Sequence, residues 1–181
     1  AQSRRAMTLI DLIGVPRIQD PQLSPDGKTI SYQLARADWN ANRLVTHIWQ
    51  QPVDGRTPTQ ITNTDGGETV ARWSPDSTTL SYLARGDGGL QMFLAPAAGG
   101  VARQLTKHAN GIYGGVSPVW SPGGQWIYFI AADPPAEIER QRERLRDDVV
   151  VVDAGTRQRH LWRVAVANGA AARVTTGEFT V

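Results

Sequence analysis

The sequence predicts an all-β fold of repeated four-stranded antiparallel units, and three observations carry that reading. One segment recurs three times without gaps, a second recurs downstream of each copy, and tight-turn residues punctuate both. The first segment is Asp20 to Ala35 "DPQLSPDGKTISYQLA", Val70 to Arg85 "VARWSPDSTTLSYLAR" and Ser117 to Ala132 "SPVWSPGGQWIYFIAA". Its shared columns are Leu23, Trp73 and Trp120; Ser24, Ser74 and Ser121; Pro25, Pro75 and Pro122; Ile30, Leu80 and Ile127; and Tyr32, Tyr82 and Phe129. The downstream companions, His47 to Thr62, Gln91 to Thr106 and His160 to Thr175, align Trp49, Phe93 and Trp162. They also place Ile61, Leu105 and Val174 before a shared threonine.

Each element follows from its residues. Ahead of the repeats, Thr8 and Asp11 form a Thr-x-x-Asp pattern that caps a short helix over Leu9, Ile10, Leu12 and Ile13, and Gly14 and Pro16 end it. In Ser-Pro-Asp-Gly, proline fixes φ at the first central turn position, aspartate accepts local backbone hydrogen bonds, and glycine tolerates positive φ as the chain leaves the turn. Ser77 replaces that glycine in the second copy, and Gly123 replaces the aspartate in the third. After the turn, Ile30 and Tyr32, like Leu80 and Tyr82, alternate with the period of a strand that buries one face. The companions then give an aromatic-bearing strand, a "VDGR", "AAGG" or "ANGA" turn and a short strand ending in threonine. Asp54-Gly55 and Asn168-Gly169 are strong hairpin signals.

The units begin at Asp20, Val70 and Ser117, spacings of 50 and 47 residues, within the period of about 40 to 50 that marks propeller blades. The predicted organisation is a helical lead-in over 1–19, blades over 20–62, 70–106 and 117–175, and the start of a fourth blade over 176–181. Propellers close with typically about 4 to 8 blades, so about three blades form an incomplete β-propeller. The final "TTGEFTV" matches the lead-in "TDGGETV" to the second blade. Two outcomes follow: the chain is the N-terminal part of a longer one, which the tail favours, or two copies complete a ring of six as a homodimer.

The third blade departs from the repeat. Five residues, Gly86 to Leu90, separate the halves of blade two, whereas 27, Asp133 to Arg159, separate those of blade three. Within this insert, "PPAEIERQRERLRDD" starts with two prolines and continues with helix formers. Glu139 with Arg142 and Glu143 with Arg146 support each other three apart, and Ile138, Leu145 and Val149 form a narrow apolar edge.

Composition limits function. The 181 residues are 40% apolar with net charge +2, and no run reaches the roughly 20 apolar residues of a membrane span. Apart from one cluster in the insert, the arginines are scattered rather than set in a stripe with aromatics, which argues against nucleic acid. The absence of cysteine excludes disulfides, thiol catalysis and thiolate metal sites. The start "AQSRRAM" has no apolar signal core, and an Ala-Gln start suits a mature terminus after cleavage.

No catalytic, cofactor or metal residue is expected in this chain. His47 and His160 share a repeat column, which points to a structural role, and His108 lies in a loop with Asn110. Asp26 and Asp76 are explained by their turns. The paired glycines precede no Gly-Lys-Ser/Thr and no helix. The nearest approach to a nucleophile elbow, Gly115-Val116-Ser117-Pro118-Val119, lacks the second glycine.

Tandem "WSPDG" blades with a "QLT" ending resemble the propeller of the prolyl oligopeptidase family of serine peptidases, and also the periplasmic Tol-system propeller protein. "MTLIDLIGVPRIQDPQLSPDG", Met7 to Gly27, is similar to the opening of acylaminoacyl-peptidase and dipeptidyl-peptidase-like members, and "RDDVVVVD" followed by "HLWRV" to a third-blade segment. The resemblance implies a non-catalytic cap over a C-terminal α/β-hydrolase domain of the same parent chain, a gate for short peptides, and a periplasmic or secreted location, cytoplasmic otherwise. It implies no cofactor. In dipeptidyl-peptidase relatives a propeller insert bears adjacent glutamates that grip the substrate's amino terminus. Here Ile138 separates Glu137 from Glu139, so on a helix they point apart and that role is not carried over. Glu137, Glu139, Arg140 and Arg144 are the candidate contacts to substrate or to the hydrolase domain. The Tol-type resemblance implies instead a stand-alone scaffold for cell-envelope proteins.

Overall fold

A computed structural model describes residues 5–134, 158–177 and 180. The chain opens with helix α1, Leu9–Gly14, and continues as twelve strands: β1 Arg17–Leu23, β2 Thr29–Asp38, β3 Arg43–Pro52, β4 Thr59–Gln60, β5 Glu68–Trp73, β6 Thr79–Gly86, β7 Gly89–Pro96, β8 Arg103–Gln104, β9 Val119–Trp120, β10 Trp126–Ala132, β11 Arg159–Ala165 and β12 Ala171–Arg173. They form three four-stranded sheets in sequential order, β1 to β4, β5 to β8 and β9 to β12, each antiparallel throughout. The α1 cap is a reciprocal box: the Thr8 hydroxyl accepts from the Asp11 amide, and the Asp11 carboxylate accepts from the Thr8 amide at 2.8 Å.

The repeated columns are cross-strand neighbours. Tyr32 lies opposite Trp49, Tyr82 opposite Phe93 and Phe129 opposite Trp162, and the Tyr82 and Phe93 rings stack with centroids 5.7 Å apart. The shared threonine of each unit accepts, through its hydroxyl, an amide of the unit's third strand. Ile48 donates to Thr62 at 2.9 Å, Met92 to Thr106 at 2.9 Å and Leu161 to Thr175 at 3.0 Å. These bonds satisfy amides where the outermost strands, β4 and β8 of two residues and β12 of three, stop short.

Strand β6 differs from its expected pattern, because five consecutive residues, Leu80 to Ala84, are buried rather than alternate ones. The sheets stack face to face, so the middle one is covered on both sides. Leu80, Tyr82, Ala84 and Ala95 pack toward Ile48 of the first sheet. Leu83, Met92, Leu94 and Leu105 pack with Ile127, Phe129, Ala131 and Val164 of the third. The alternation thus sorts β6 between two apolar interfaces instead of between core and solvent.

Indole hydrogen bonds tie neighbouring sheets. Trp73 Nε1 donates to the Gln22 carbonyl at 3.2 Å, and Trp120 Nε1 donates to the Arg72 carbonyl at 3.2 Å and to Ser81 Oγ at 2.9 Å. At the turns, Ser77 stands in the left-handed region with φ 61, and its hydroxyl accepts the Asp26 amide at 3.0 Å. The serine in place of glycine therefore joins the first two turns. Gly67, with φ 76, marks the crossing between sheets one and two, where a Cβ would lie 2.9 Å from the Thr46 carbonyl oxygen.

The packing makes a quantitative distinction. Leu83→Ala should cost about 2 to 5 kcal/mol by removing atoms from a closed interface, whereas Ile18→Ala, at a side chain 67% exposed, should stay within about 0.5 kcal/mol. Urea unfolding of the two variants checks this.

Candidate functional site

The residues singled out for contact, Glu137, Glu139, Arg140 and Arg144, lie outside the described residues, as do Ile138, Leu145 and Val149. The two roots of that insert are described and held together. The Asp133 amide donates to the Gln158 carbonyl at 3.2 Å, Arg173 Nη1 donates to Asp133 Oδ2 at 2.6 Å, and the Asn110 side chain donates to the Asp133 carbonyl. The Arg159 guanidinium sits 4.0 Å from the Tyr113 ring centroid. Beneath the roots are two buried imidazoles. His160 has Nδ1 3.3 Å from Thr175 Oγ1 and Nε2 3.6 Å from Asp133 Oδ2. His108 meets the Trp162 ring edge-on at 4.8 Å and the Phe129 ring at 6.2 Å. Burial holds His108 below its ordinary value, with the Asp133 charge opposing, so this imidazole is neutral at neutral pH.

A second polar constellation links the first strands of the first two sheets to the segment that leads into β9. Asp20 Oδ2 accepts from Arg72 Nη1 at 2.6 Å and from Gln33 Nε2 at 2.8 Å, Asp20 Oδ1 accepts from Gln22 Nε2 at 2.9 Å, and Arg72 Nη2 donates to Ser117 Oγ at 2.7 Å. Bulges create this geometry. The register shifts between Gln19 and Gln22 in β1 and between Thr69 and Arg72 in β5, with Asp20 at φ 46 and Val70 at φ 57. A β-branched residue at such a φ is an outlier that costs about 1 to 3 kcal/mol and that the surrounding contacts must overcome. Ser117, the serine of the imperfect elbow segment, is thereby a partner of a guanidinium.

The third constellation joins sheets one and two. Glu68 is fully buried, its Oε1 accepts from the Thr64 amide at 2.8 Å, and its Oε2 lies 2.9 Å from His47 Nδ1. Burial, the largest single influence, pushes this carboxyl up, yet hydrogen bonds from Thr62, Thr64 and His47 together hold it below its ordinary value. Buried charge of this kind is anchored by its partners.

Asp26 and Asp76 serve their turns. Ser24 and Ser74 donate to them at 2.6 Å, and the amides of Lys28 and Thr78 follow at 3.2 Å and 3.1 Å. The serine hydrogen bonds lead in holding both carboxyls below the usual range. Among the described residues no group of three or more His, Asp or Glu is placed to hold a metal ion, and no helix is long and apolar enough to cross a membrane. The arrangement of the described polar residues is that of joints between sheets.

Sequence reasoning missed Asp20, Arg72 and Glu68 because repeat columns draw attention to what recurs. Asp20, Val70 and Ser117 share a column but no chemistry. The available signal was the opposite charges of Asp20 and Arg72, two residues apart in repeat register. His47 and His160 do share a column, but they find different partners, Glu68 in one case and Thr175 with Asp133 in the other.

No protein-family model matches the chain. It is 28% identical over 148 residues to the uncharacterized peptidase YuxL of Bacillus subtilis, covering 80% of this chain and 22% of that protein. The chain thus spans about a fifth of the length of that relative. Among solved structures, an acylaminoacyl peptidase of Pyrococcus horikoshii superposes with TM-score 0.66 at 13% identity, covering 90% of this chain and 25% of that one. The β-propeller domain of the Trilobed protease of Pyrococcus furiosus, which has an open velcro topology, gives TM-score 0.60 at 13% identity, covering 88% and 43%. The fold is that of propeller blades, and the likenesses are consistent with the propeller part of a prolyl oligopeptidase family peptidase.

The buried imidazole predicts a pH effect. His108 is held below its ordinary value of 6.5 in the fold, so the unfolded chain binds more protons between the two values. Its contribution to stability is fully present above pH 6.5 and is lost as pH falls through the folded value. Thermal melts should show that His108→Phe loses less stability than the parent chain between pH 8 and pH 5 (roughly the span in which histidine titrates).

Proposed function

We propose that this chain is the non-catalytic propeller part of a longer serine peptidase, capping and gating an α/β-hydrolase domain that acts on short peptides. The observation that carries this reading is the match to YuxL, which takes in 80% of this chain but only 22% of a protein named as a peptidase. The remaining length of such a protein is where the catalytic apparatus belongs, in keeping with the turn and joint roles of the serines, acids and histidines here. Helix α1 supports the same reading. It buries none of its residues, and Met7, Leu9, Ile10 and Leu12 are between 57% and 72% exposed. An apolar surface of that kind fits a neighbouring domain better than water. In this proposal the insert carrying Glu137, Glu139, Arg140 and Arg144 reaches toward the substrate path, further blades close the ring, and the protein works in the periplasm or outside the cell.

The parent reading frame beyond Val181 tests the proposal. It should encode more Trp-Ser-Pro turns and then Gly-x-Ser-x-Gly, with an aspartate and a histidine after it, and replacing that serine by alanine should abolish peptidase activity. A stop codon directly after Val181 contradicts the proposal, as does a complete set of six blades with no such motif, the pattern of a stand-alone scaffold for cell-envelope proteins.

A further inference from the structure

The first sheet departs from the other two in one respect. Its central hairpin, β2 with β3, has ten residues in each strand, against eight in β6 and β7 and seven in β10 and β11. The extension leaves a cleft of about 780 Å³ beside it, within the range of about 300 to 1,000 Å³ common for small-ligand sites. At the hairpin tip Trp39 is 59% exposed, a large aromatic that packs into no core cluster. Repeats reproduce what the fold needs, so the ten-residue strand pair that among the described residues the first sheet alone carries calls for another explanation.

The polar groups around the cleft have unequal commitments. Asp38 gives its carboxylate to the turn, accepting from the Asn40 and Ala41 amides at 3.1 Å each. His47 is engaged by Glu68. Arg36 is steadied over the Trp49 ring, 5.6 Å from its centroid, and Arg43 donates to the Asp65 backbone carbonyl. Among the described residues neither guanidinium has a carboxylate partner, although both line the cleft. Two guanidiniums held by a ring and a carbonyl keep donors free in the planar arrangement that matches a carboxylate. The exposed Asp65 side chain supplies the opposite charge on the same cleft.

We infer that this cleft binds a peptide carboxylate, with Arg36 and Arg43 as its donors and Trp39 covering an apolar or aromatic side chain next to it. The inference takes its ligand class from the peptidase reading above. Such a site selects peptides by an end or an acidic side chain before any bond is broken, and so serves specificity rather than catalysis. Asp65 is placed to receive an N–H of the same ligand.

The test is titration of the 181-residue chain with three probes, followed by calorimetry and by amide shifts of the β2 and β3 hairpin. The probes are an N-acetylated tripeptide ending in phenylalanine as the free acid, the same peptide as its C-terminal amide, and an amidated tripeptide with an internal glutamate. The free acid should bind saturably, and the plain amide at least about tenfold more weakly, the factor expected when a charge-assisted hydrogen bond is removed. Binding by the glutamate peptide at the level of the free acid assigns the site to acidic side chains, and its absence assigns it to chain ends. R36Q with R43Q should abolish binding at an unchanged melting temperature, and Trp39→Ala should weaken it while leaving the acid-over-amide preference intact. Equal binding of acid and amide, binding that survives R36Q with R43Q, or no shift in the hairpin amides overturns the inference. A hydrolase motif in the parent frame together with any of these results removes the cleft assignment alone. Selective carboxylate binding in a protein without that motif removes the peptidase reading alone.

Discussion

The structure rests on one constraint: a four-stranded sheet with two apolar faces cannot bury both by itself. The second sheet meets the constraint on both sides, with Tyr82, Leu80 and Ala84 against Ile48 on one face and Leu83 and Met92 against Ile127 and Phe129 on the other. Most else follows from that stacking. At about 25 cal/mol per Å² of apolar surface removed from water, face-to-face burial outweighs any single polar link, and those links act to set the registration between sheets. The indoles of Trp73 and Trp120 reach back to the carbonyls of Gln22 and Arg72, two equivalent positions in consecutive sheets. Asp20, Arg72 and Ser117 extend a chain of charge-assisted bonds from the first strands of two sheets to the segment before β9, and Glu68 with His47 closes the crossing between sheets one and two.

Several serines and aspartates that recur in the repeats are engaged within their own turns. The serine hydroxyl recurs in all three turns, where it accepts an amide as the chain leaves the turn. In the two Ser-Pro-Asp turns the serine both donates to its aspartate and accepts an amide five residues on, from Thr29 and Thr79. The third turn, with Gly123 in place of aspartate, keeps only the second of these, from Trp126. What lies outside the repeat is a better guide to function: the long hairpin of the first sheet, the uncovered helix α1 and the insert rooted at Asp133.

Much of the fold was legible because its cause is local and periodic. Ser-Pro-Asp-Gly announces a turn, alternating Ile30 and Tyr32 a strand, Thr8 with Asp11 a helix start, and the structure contains these elements. Interactions between sheets were less legible, since they join residues well separated in the chain, such as Trp73 with Gln22 and Glu68 with His47, whose pairing no repeat column announces. The indole column was visible as a repeat, but nothing in it says that Trp120 donates to a carbonyl of the preceding sheet. The bulge at Val70 was hidden because a β-branched residue does not ordinarily adopt positive φ, and the one at Asp20 because an aspartate tolerates that region without marking where it is used. The double burial of β6 was hidden because a strand between two sheets looks, by alternation alone, like a strand between core and water. The length of the β2 and β3 hairpin was open to inspection, but aligning three units on their shared columns draws the eye past an extension in one of them.

Native-state hydrogen exchange tests most directly whether stacking on both faces holds this molecule together. The amides of β6 and β7 should exchange slowest, near the rate of global unfolding, while those of β1 and β12 exchange faster by local opening. Uniform protection across the three sheets, or slowest exchange in β1 and β2, would contradict that claim.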